Sequence, residues 1–140
     1  MAWLLATIGK SDSRNWEICK EHNLWGISVL GESDFIHKAS KGDNLLFWVS
    51  GKGFVGTAVA TEDTRVPKGP EETPWRGGNS RYGFIIPVKF DREFNKPIKL
   101  NFSNNVQEKT GIPLAYFRRG FQPIGDVQAR IVLDEASLFT

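Results

Sequence analysis

The sequence is short of most of what bond-breaking chemistry, export and membrane insertion require. Among its 140 residues there is one cysteine, Cys19, and there are two histidines, His22 and His37. A single thiol closes no internal disulfide and completes no zinc cluster, and neither histidine has a cysteine or carboxylate at a recognisable metal-ligand spacing. No run approaches the roughly 20 apolar residues of a membrane span. The chain does not open with a charged segment leading into an apolar stretch, as an export signal would. A cytoplasmic protein with no membrane partner is therefore expected. Gly-x-Ser-x-Gly elbows, Walker-type loops and dinucleotide fingerprints are also missing. Gly51-Lys52-Gly53 has the composition of a phosphate cradle, but a strand pattern follows it where a helix start is needed. The adjacent carboxylates Glu62-Asp63 and Glu71-Glu72 lie in a loop, where such pairs are normally solvated. No enzyme activity is expected, and no metal or organic cofactor.

An excess of charge of one sign is also missing. Eighteen basic against sixteen acidic residues leave a net charge of +2, which permits a local basic face without announcing a polyanion as partner. At this length one domain, spanning residues 1–140, is expected, large enough to bury about two-thirds of its extended-chain surface.

What the chain does have is large aromatic rings beside glycines and polar groups. Asn23-Leu24-Trp25-Gly26-Ile27, Gly42-Asp43-Asn44 leading into Leu45-Leu46-Phe47-Trp48-Val49, and Gly53-Phe54-Val55-Gly56-Thr57-Ala58 are the clearest instances. Ala2 to Ile8 is an apolar, partly β-branched run and reads as a buried strand. Asp12 or Ser13 is placed to cap a helix in which Trp16 and Cys19 form an apolar stripe, ending near His22. Phe35, Ile36 and Ala39 suggest a second short helix. Leu45–Val49 and Phe54–Ala60 are β-prone runs joined by Ser50-Gly51-Lys52-Gly53, a hairpin signature. Residues 62–80 hold three prolines and three glycines with no sustained period and form a long loop, a feature often functional in compact domains. Tyr82–Phe90 and Ile98–Phe102 resume strand patterns, and Asp126–Leu138 has helical spacing. The fold class expected is α+β: a strongly curved, mainly antiparallel sheet or barrel of five to six strands, flanked by helices.

Each tryptophan has a plain reading beside a functional one. Trp3 and Trp16 lie in apolar patterns that belong to a core. Trp48 fits a core or a pocket wall equally. Trp25, between a helix and a glycine, either caps the core or lines a pocket for a flat ligand. Trp75 stands in a polar, Pro-rich loop, where a structural tryptophan has less to pack on. Arg65, Lys68, Arg76 and Arg81 are interleaved with that loop, and Lys10, Arg14, Lys52, Arg118 and Arg119 lie elsewhere. Such residues suit phosphate contacts, and aromatics amid them favour single-stranded or flipped bases.

These pieces, in their order and spacing, resemble the EVE domain of the PUA-like superfamily. The resemblance rests on the N-terminal strand, the helix around Asn15-Trp16-Glu17, Asn23-Leu24-Trp25-Gly26-Ile27, Lys41-Gly42-Asp43 before a strand, and Gly53-Phe54-Val55-Gly56-Thr57-Ala58. It extends to Arg118-Arg119-Gly120-Phe121-Gln122-Pro123-Ile124 and so covers nearly the whole chain. The related YTH domains are similar in having a tryptophan after the first helix, a hairpin ending Phe-x-Gly-x-Ala, and a tryptophan in the following loop. Here these fall on Trp25, on Phe54 to Ala58, and on Trp75. Trp48 stands where the YTH pattern has a small residue.

The resemblance implies recognition of a modified base: N6-methyladenine in RNA for YTH domains, modified cytosine or adenine in DNA for EVE-type domains, often beside restriction endonucleases. The implied cage comprises Trp25, Trp48, Trp75 and Phe54. Polar contacts to the base edge would come from Ser11, Asp12 and Ser13 and from the backbone at Gly26 and Ile27. Lys10, Arg14, Lys52, Lys68, Arg76, Arg81, Arg118 and Arg119 would meet the phosphates. The implied partner is DNA or RNA carrying a methylated or hydroxymethylated adenine or cytosine, with a restriction or RNA-processing enzyme as a further partner. A flipped base loses a few kcal/mol of stacking, and each aromatic face returns about 1–3 kcal/mol. Two alternatives belong to other classes: a PUA-like module for structured RNA such as tRNA, and a pocket for a free nucleobase or nucleotide.

Overall fold

The computed structural model describes residues 2–28, 38–98, 110–118 and 121–137. The first strand, β1 (Trp3–Ile8), is followed by a 3-10 turn at Lys10–Asp12 and by α1 (Asn15–His22). Then come β2 (Leu24–Ser28) and the hairpin strands β3 (Asn44–Val49) and β4 (Gly53–Ala60). A 3-10 turn at Pro70–Glu72 and the single-turn α2 (Gly78–Arg81) lead into the long β5 (Tyr82–Ile98). The chain ends in a 3-10 turn at Leu114–Arg118, β6 (Phe121–Ile124) and α3 (Asp126–Ser137).

The six strands form one sheet in the order β2-β5-β4-β3-β1-β6. Only the β1–β3 pairing is parallel among the named pairs; the others are antiparallel. The expected α+β curved sheet is therefore what the chain forms. Its β3–β4 hairpin carries a bulge between Phe47 and Trp48, and β5 meets β4 with further register shifts near Gly56 and Thr57. Bulges raise the local twist, and the sheet curls far enough that Trp25 of one outer strand and Phe121 of the other lie 6.3 Å apart, centroid to centroid.

Alternation along the strands divides the core. From β3, Leu45, Phe47 and Val49 enter a cluster with Trp16, Cys19, Trp25, Trp75 and Tyr82. Leu46 and Trp48 enter the other, with Leu5, Phe54, Phe117 and Val132. The sheet is thus buried on both faces, which is why β1 and β3 read as continuous apolar runs rather than as alternating ones.

Several local expectations need correction. Neither Asp12 nor Ser13 caps α1: its first residue is Asn15, Arg14 precedes it, and no side chain bonds the free amides there. The Asp12 carboxylate is instead engaged by Arg81. The helix stops where expected because Asn23 adopts a left-handed conformation (φ 54°) and its N–H bonds the Cys19 carbonyl, a role asparagine fills with little strain. Two short strands, β2 and β6, carry no alternating signal in the sequence. The separate strand expected at Ile98–Phe102 meets the structure only at Ile98, the last residue of β5, and residues 99–102 lie outside the described part. The short helix expected over Phe35, Ile36 and Ala39 lies mostly outside it too.

Gly56 marks the tightest approach between β4 and β5. A Cβ there would meet the Arg92 carbonyl oxygen at 2.5 Å and the Trp16 ring at 3.1 Å. Gly56→Ala is therefore expected to destabilise the fold by about 1–3 kcal/mol, the usual cost of overpacking, as read from urea denaturation midpoints. An unchanged midpoint would mean that β4 and β5 separate without cost.

Candidate functional site

The site is built where β2, the α1 entry and the 61–82 segment meet. Trp25 and Gly26 are neighbours on β2. Trp25 is 6% exposed and lies against Phe47 (5.5 Å) and Phe121. Gly26 exposes backbone, and Trp75 lies directly over it: a Cβ at Gly26 would sit 2.6 Å from the Trp75 ring and 2.8 Å from that of Tyr82. Trp75 and Tyr82 pack with centroids 4.9 Å apart at 51°. The Asn15 amide donates to the Tyr82 hydroxyl at 3.1 Å, tying the first residue of α1 to the start of β5. Burial pushes the ionisation of that hydroxyl above its ordinary range.

Trp75 is carried by a segment braced along its length. Arg65 exchanges backbone hydrogen bonds with Ile85 (2.9 and 2.8 Å), so the chain beyond β4 still follows β5. Its guanidinium grips Glu72 through two bonds of 2.8 and 2.7 Å, and Glu72 also accepts from the Lys68 N–H at 2.7 Å. The Arg65 bonds, with the Lys68 amide in second place, bring the Glu72 carboxyl down to about 2. Thr73 donates to the Asn79 side chain, and the Gly78 N–H to the Trp75 carbonyl at 3.1 Å. Gly77, at φ 97°, takes a left-handed turn that only glycine adopts freely. That reversal brings Arg81 and Tyr82 back beside Trp75.

Arg81 and Asp12 close the top of this arrangement. Two guanidinium nitrogens bond the two carboxylate oxygens at 3.2 and 2.6 Å, and the guanidinium lies 5.1 Å from the centre of the Tyr82 ring. The Arg81 hydrogen bonds hold the Asp12 carboxyl below its usual range against the opposing effect of burial, and Arg76 adds a weaker pull in the same direction. Cys19 sits beneath; burial pushes its thiol up to about 12, opposed by the neighbouring Trp75 indole, so it is inert as a nucleophile at neutral pH. The indole Nε1 donor of Trp25 is buried without a hydrogen-bond partner. An unmet buried donor costs about 1–3 kcal/mol, and an incoming group with acceptor atoms would recover it.

The structure brings together only part of the expected cage. Trp25 and Trp75 share one cluster. Trp48 and Phe54 do not join them: both lie in the other cluster, 4.8 Å from each other, with Phe117 4.7 Å from Trp48. Strict alternation along β3 puts Phe47 on the inner face and therefore Trp48 on the outer one. Ser11 is exposed and Ser13 half-buried beside Asp12, while Gly26 and Ile27 are buried in β2. Arg76 is exposed next to Trp75, and Lys10 and Arg14 are exposed around Asp12. Lys52 lies at the hairpin tip, joined to the end of β1 through the Ser50 N–H bond to Ile8, and Lys68 on the braced loop. Arg118 ends a 3-10 turn, and Arg119 lies outside the described residues. Asn15 and Tyr82 were missed: Asn15 read only as part of a helix and Tyr82 only as a strand start, and nothing local joins positions 67 residues apart.

Among the described residues no group of three or more His, Cys, Asp or Glu side chains is placed to hold a metal ion, and no helix is long and apolar enough to cross a membrane.

The six-stranded curled, mainly antiparallel sheet flanked by helices is a PUA-like fold. The sequence matches the EVE domain family over residues 2–135, and the chain belongs to that family. No curated protein matches it significantly. Among the solved structures that share its fold are three seen with nucleic acid. Human THYN1, in complex with DNA containing 5-methylcytosine, is 14% identical, with 97% of this chain and 98% of that one covered and a TM-score of 0.57. The N-terminal domain of McrB from Thermococcus gammatolerans, bound to m5C DNA, is 16% identical over 99% and 98% of the two chains, with a TM-score of 0.56. The YTH domain of Zygosaccharomyces rouxii MRB1, in complex with N6-methyladenosine RNA, is 17% identical over 98% and 88%, with a TM-score of 0.56.

Gly26→Ala is expected to force Trp75 off β2, because the new methyl occupies the ring's place. Tryptophan emission should shift to the red while far-ultraviolet circular dichroism stays unchanged; an unshifted emission would contradict the Gly26–Trp75 packing. A second expectation concerns pH. Because Glu72 ionises at about 2 when folded against an ordinary 4.5, its pairing supports the fold fully above about pH 4.5 and loses that effect as pH falls towards 2. Glu72→Gln should therefore lower the thermal midpoint at pH 7 and narrow its gap from the unsubstituted protein as pH drops through this window. A gap that stays constant would show that the charge of Glu72 contributes nothing to the fold.

Proposed function

We propose that the protein is a binding module, not an enzyme, that reads a methylated or hydroxymethylated adenine or cytosine in nucleic acid, with the base turned out of its strand. The observation that carries this reading is Trp75 lying on the bare backbone of Gly26, next to Trp25, whose indole donor is buried and unmet. A ring stacked on glycine backbone holds a flat slot: if Trp75 lifts, a planar base takes its place between the indole and the strand. Support comes also from the three fold relatives, each seen with methylated DNA or RNA.

In this reading Trp75 and Trp25 supply the aromatic walls, joined by Tyr82 in place of Trp48 and Phe54. Ser11, Ser13, Asn15 and the backbone at Gly26 and Ile27 offer donors and acceptors to the base edge. Arg76 and Arg81, with Lys10 and Arg14, meet the phosphates flanking the extruded base. A methyl group adds only about 0.8 kcal/mol of burial, so discrimination depends on closeness of fit and on leaving no polar group unpaired when the wrong base enters. A restriction or RNA-processing enzyme is the partner class this role implies.

Oligonucleotides carrying N6-methyladenine, 5-methylcytosine or 5-hydroxymethylcytosine, titrated beside plain strands, test the reading. At least one modified strand should bind more tightly than its plain counterpart; equal affinities throughout would overturn it. Trp75→Ala should abolish the preference and leave weak, salt-dependent binding in place. Arg76→Ala should weaken all strands alike and reduce the salt slope by about one unit.

A further inference from the structure

Arg81 lies over the Tyr82 ring at the edge of the aromatic pair, yet its fork is already occupied. Its two terminal nitrogens face the two oxygens of Asp12 at 3.2 and 2.6 Å, which is the forked geometry a guanidinium offers to a phosphate. The remaining edge is closed as well, because Nε is buried and without a partner. In this position the guanidinium also covers the Tyr82 ring, which packs against Trp75. The Asp12 and Arg81 side chains remain 19% and 27% exposed, so an anion from solvent can reach the pair. Arg76, next to Trp75 in the chain, adds a weaker electrostatic pull on the same carboxylate.

We infer that Asp12 is an internal stand-in for phosphate: it occupies Arg81 in the free protein, and a phosphodiester displaces it, drawing Arg81 off Tyr82 and uncovering the Tyr82–Trp75 pair. Asp12 is then a specificity-determining residue that touches neither base nor phosphate. Its competition sets a threshold that a phosphate alone barely meets and that a phosphate with a well-fitted base exceeds. This inference rests on the reading of the site as a nucleic-acid reader.

The test is a double-mutant cycle on the whole chain, with a short plain single-stranded oligonucleotide as probe and thermal melts to establish that each variant is folded. Asp12→Asn keeps the shape and removes the charge. It should tighten binding of the plain strand about two- to fivefold, the range for release of one partly exposed ion pair. The fall of log K with log salt should steepen by up to about 0.7, one added contact on a single strand. In an Arg81→Ala background the same substitution should bring no gain. A gain of equal size in that background would show a general charge effect and overturn the inference. Weaker binding by Asp12→Asn would overturn it too, because Asp12 would then be holding Arg81 in its binding position. Binding by the unsubstituted protein with no change in Asp12→Asn removes the stand-in role alone; an unsubstituted protein that binds no strand, modified or plain, removes the reader function and this inference together.

Discussion

Phe47, fully buried at the centre of β3, has Trp16 at 5.1 Å, Trp25 at 5.5 Å and Phe90 at 5.4 Å. These rings come from α1, β2 and β5, so a single side chain joins the helix and one outer strand to the middle of the sheet. Each such aromatic contact adds about 0.5–1.5 kcal/mol to what burial already supplies. The position of the site follows from it: with Trp25 fixed against Phe47, Gly26 is presented to Trp75, and with Trp16 fixed on its other side, Asn15 reaches Tyr82.

A second level of organisation is electrostatic. The Arg65–Glu72 pair braces the segment that carries Trp75, and the Asp12–Arg81 pair ties the entry of α1 to the start of β5. Exposed ion pairs usually contribute little to stability, but these are bidentate and partly buried, and their effect is orientation. They hold one aromatic ring over a glycine and one guanidinium over an aromatic ring. The first pair is local, seven residues apart; the second spans 69.

The family defines the frame without choosing the ligand. Relatives at 14–17% identity keep the curled sheet while one is seen with methylated RNA and others with methylated DNA. A shared fold carries different ligands through differences in the few side chains at its site. In the function proposed for this chain those side chains are Trp25, Trp75, Tyr82, Asn15, Asp12 and Arg81, and their fit, rather than the sheet beneath them, would select the base.

Much of the frame was legible in the residues. The apolar run of β1, the hairpin glycines, the helix ending at His22 and the aperiodic 62–80 loop all express local rules of period, turn chemistry and backbone freedom, and they led to an α+β curved sheet. The order of motifs also pointed to the family. Local rules could not reveal β2 and β6, whose few residues are strands only because partners hydrogen-bond to them. Nor could they tell that Trp48 and Phe54 belong to the opposite face from Trp25 and Trp75, since that depends on which way β3 is turned within the sheet, and a shift of one residue would exchange the faces. Asp12 looked like a helix cap because its neighbours in sequence are a helix; it binds Arg81 because folding places a cation from 69 residues away within reach. The sequence by itself determined β1, the course of α1, the β3–β4 hairpin and the 62–80 loop, each of which obeys a local rule, while the tertiary structure alone decided which rings cluster and which charges pair, because those contacts exist only between residues that the curled sheet brings together.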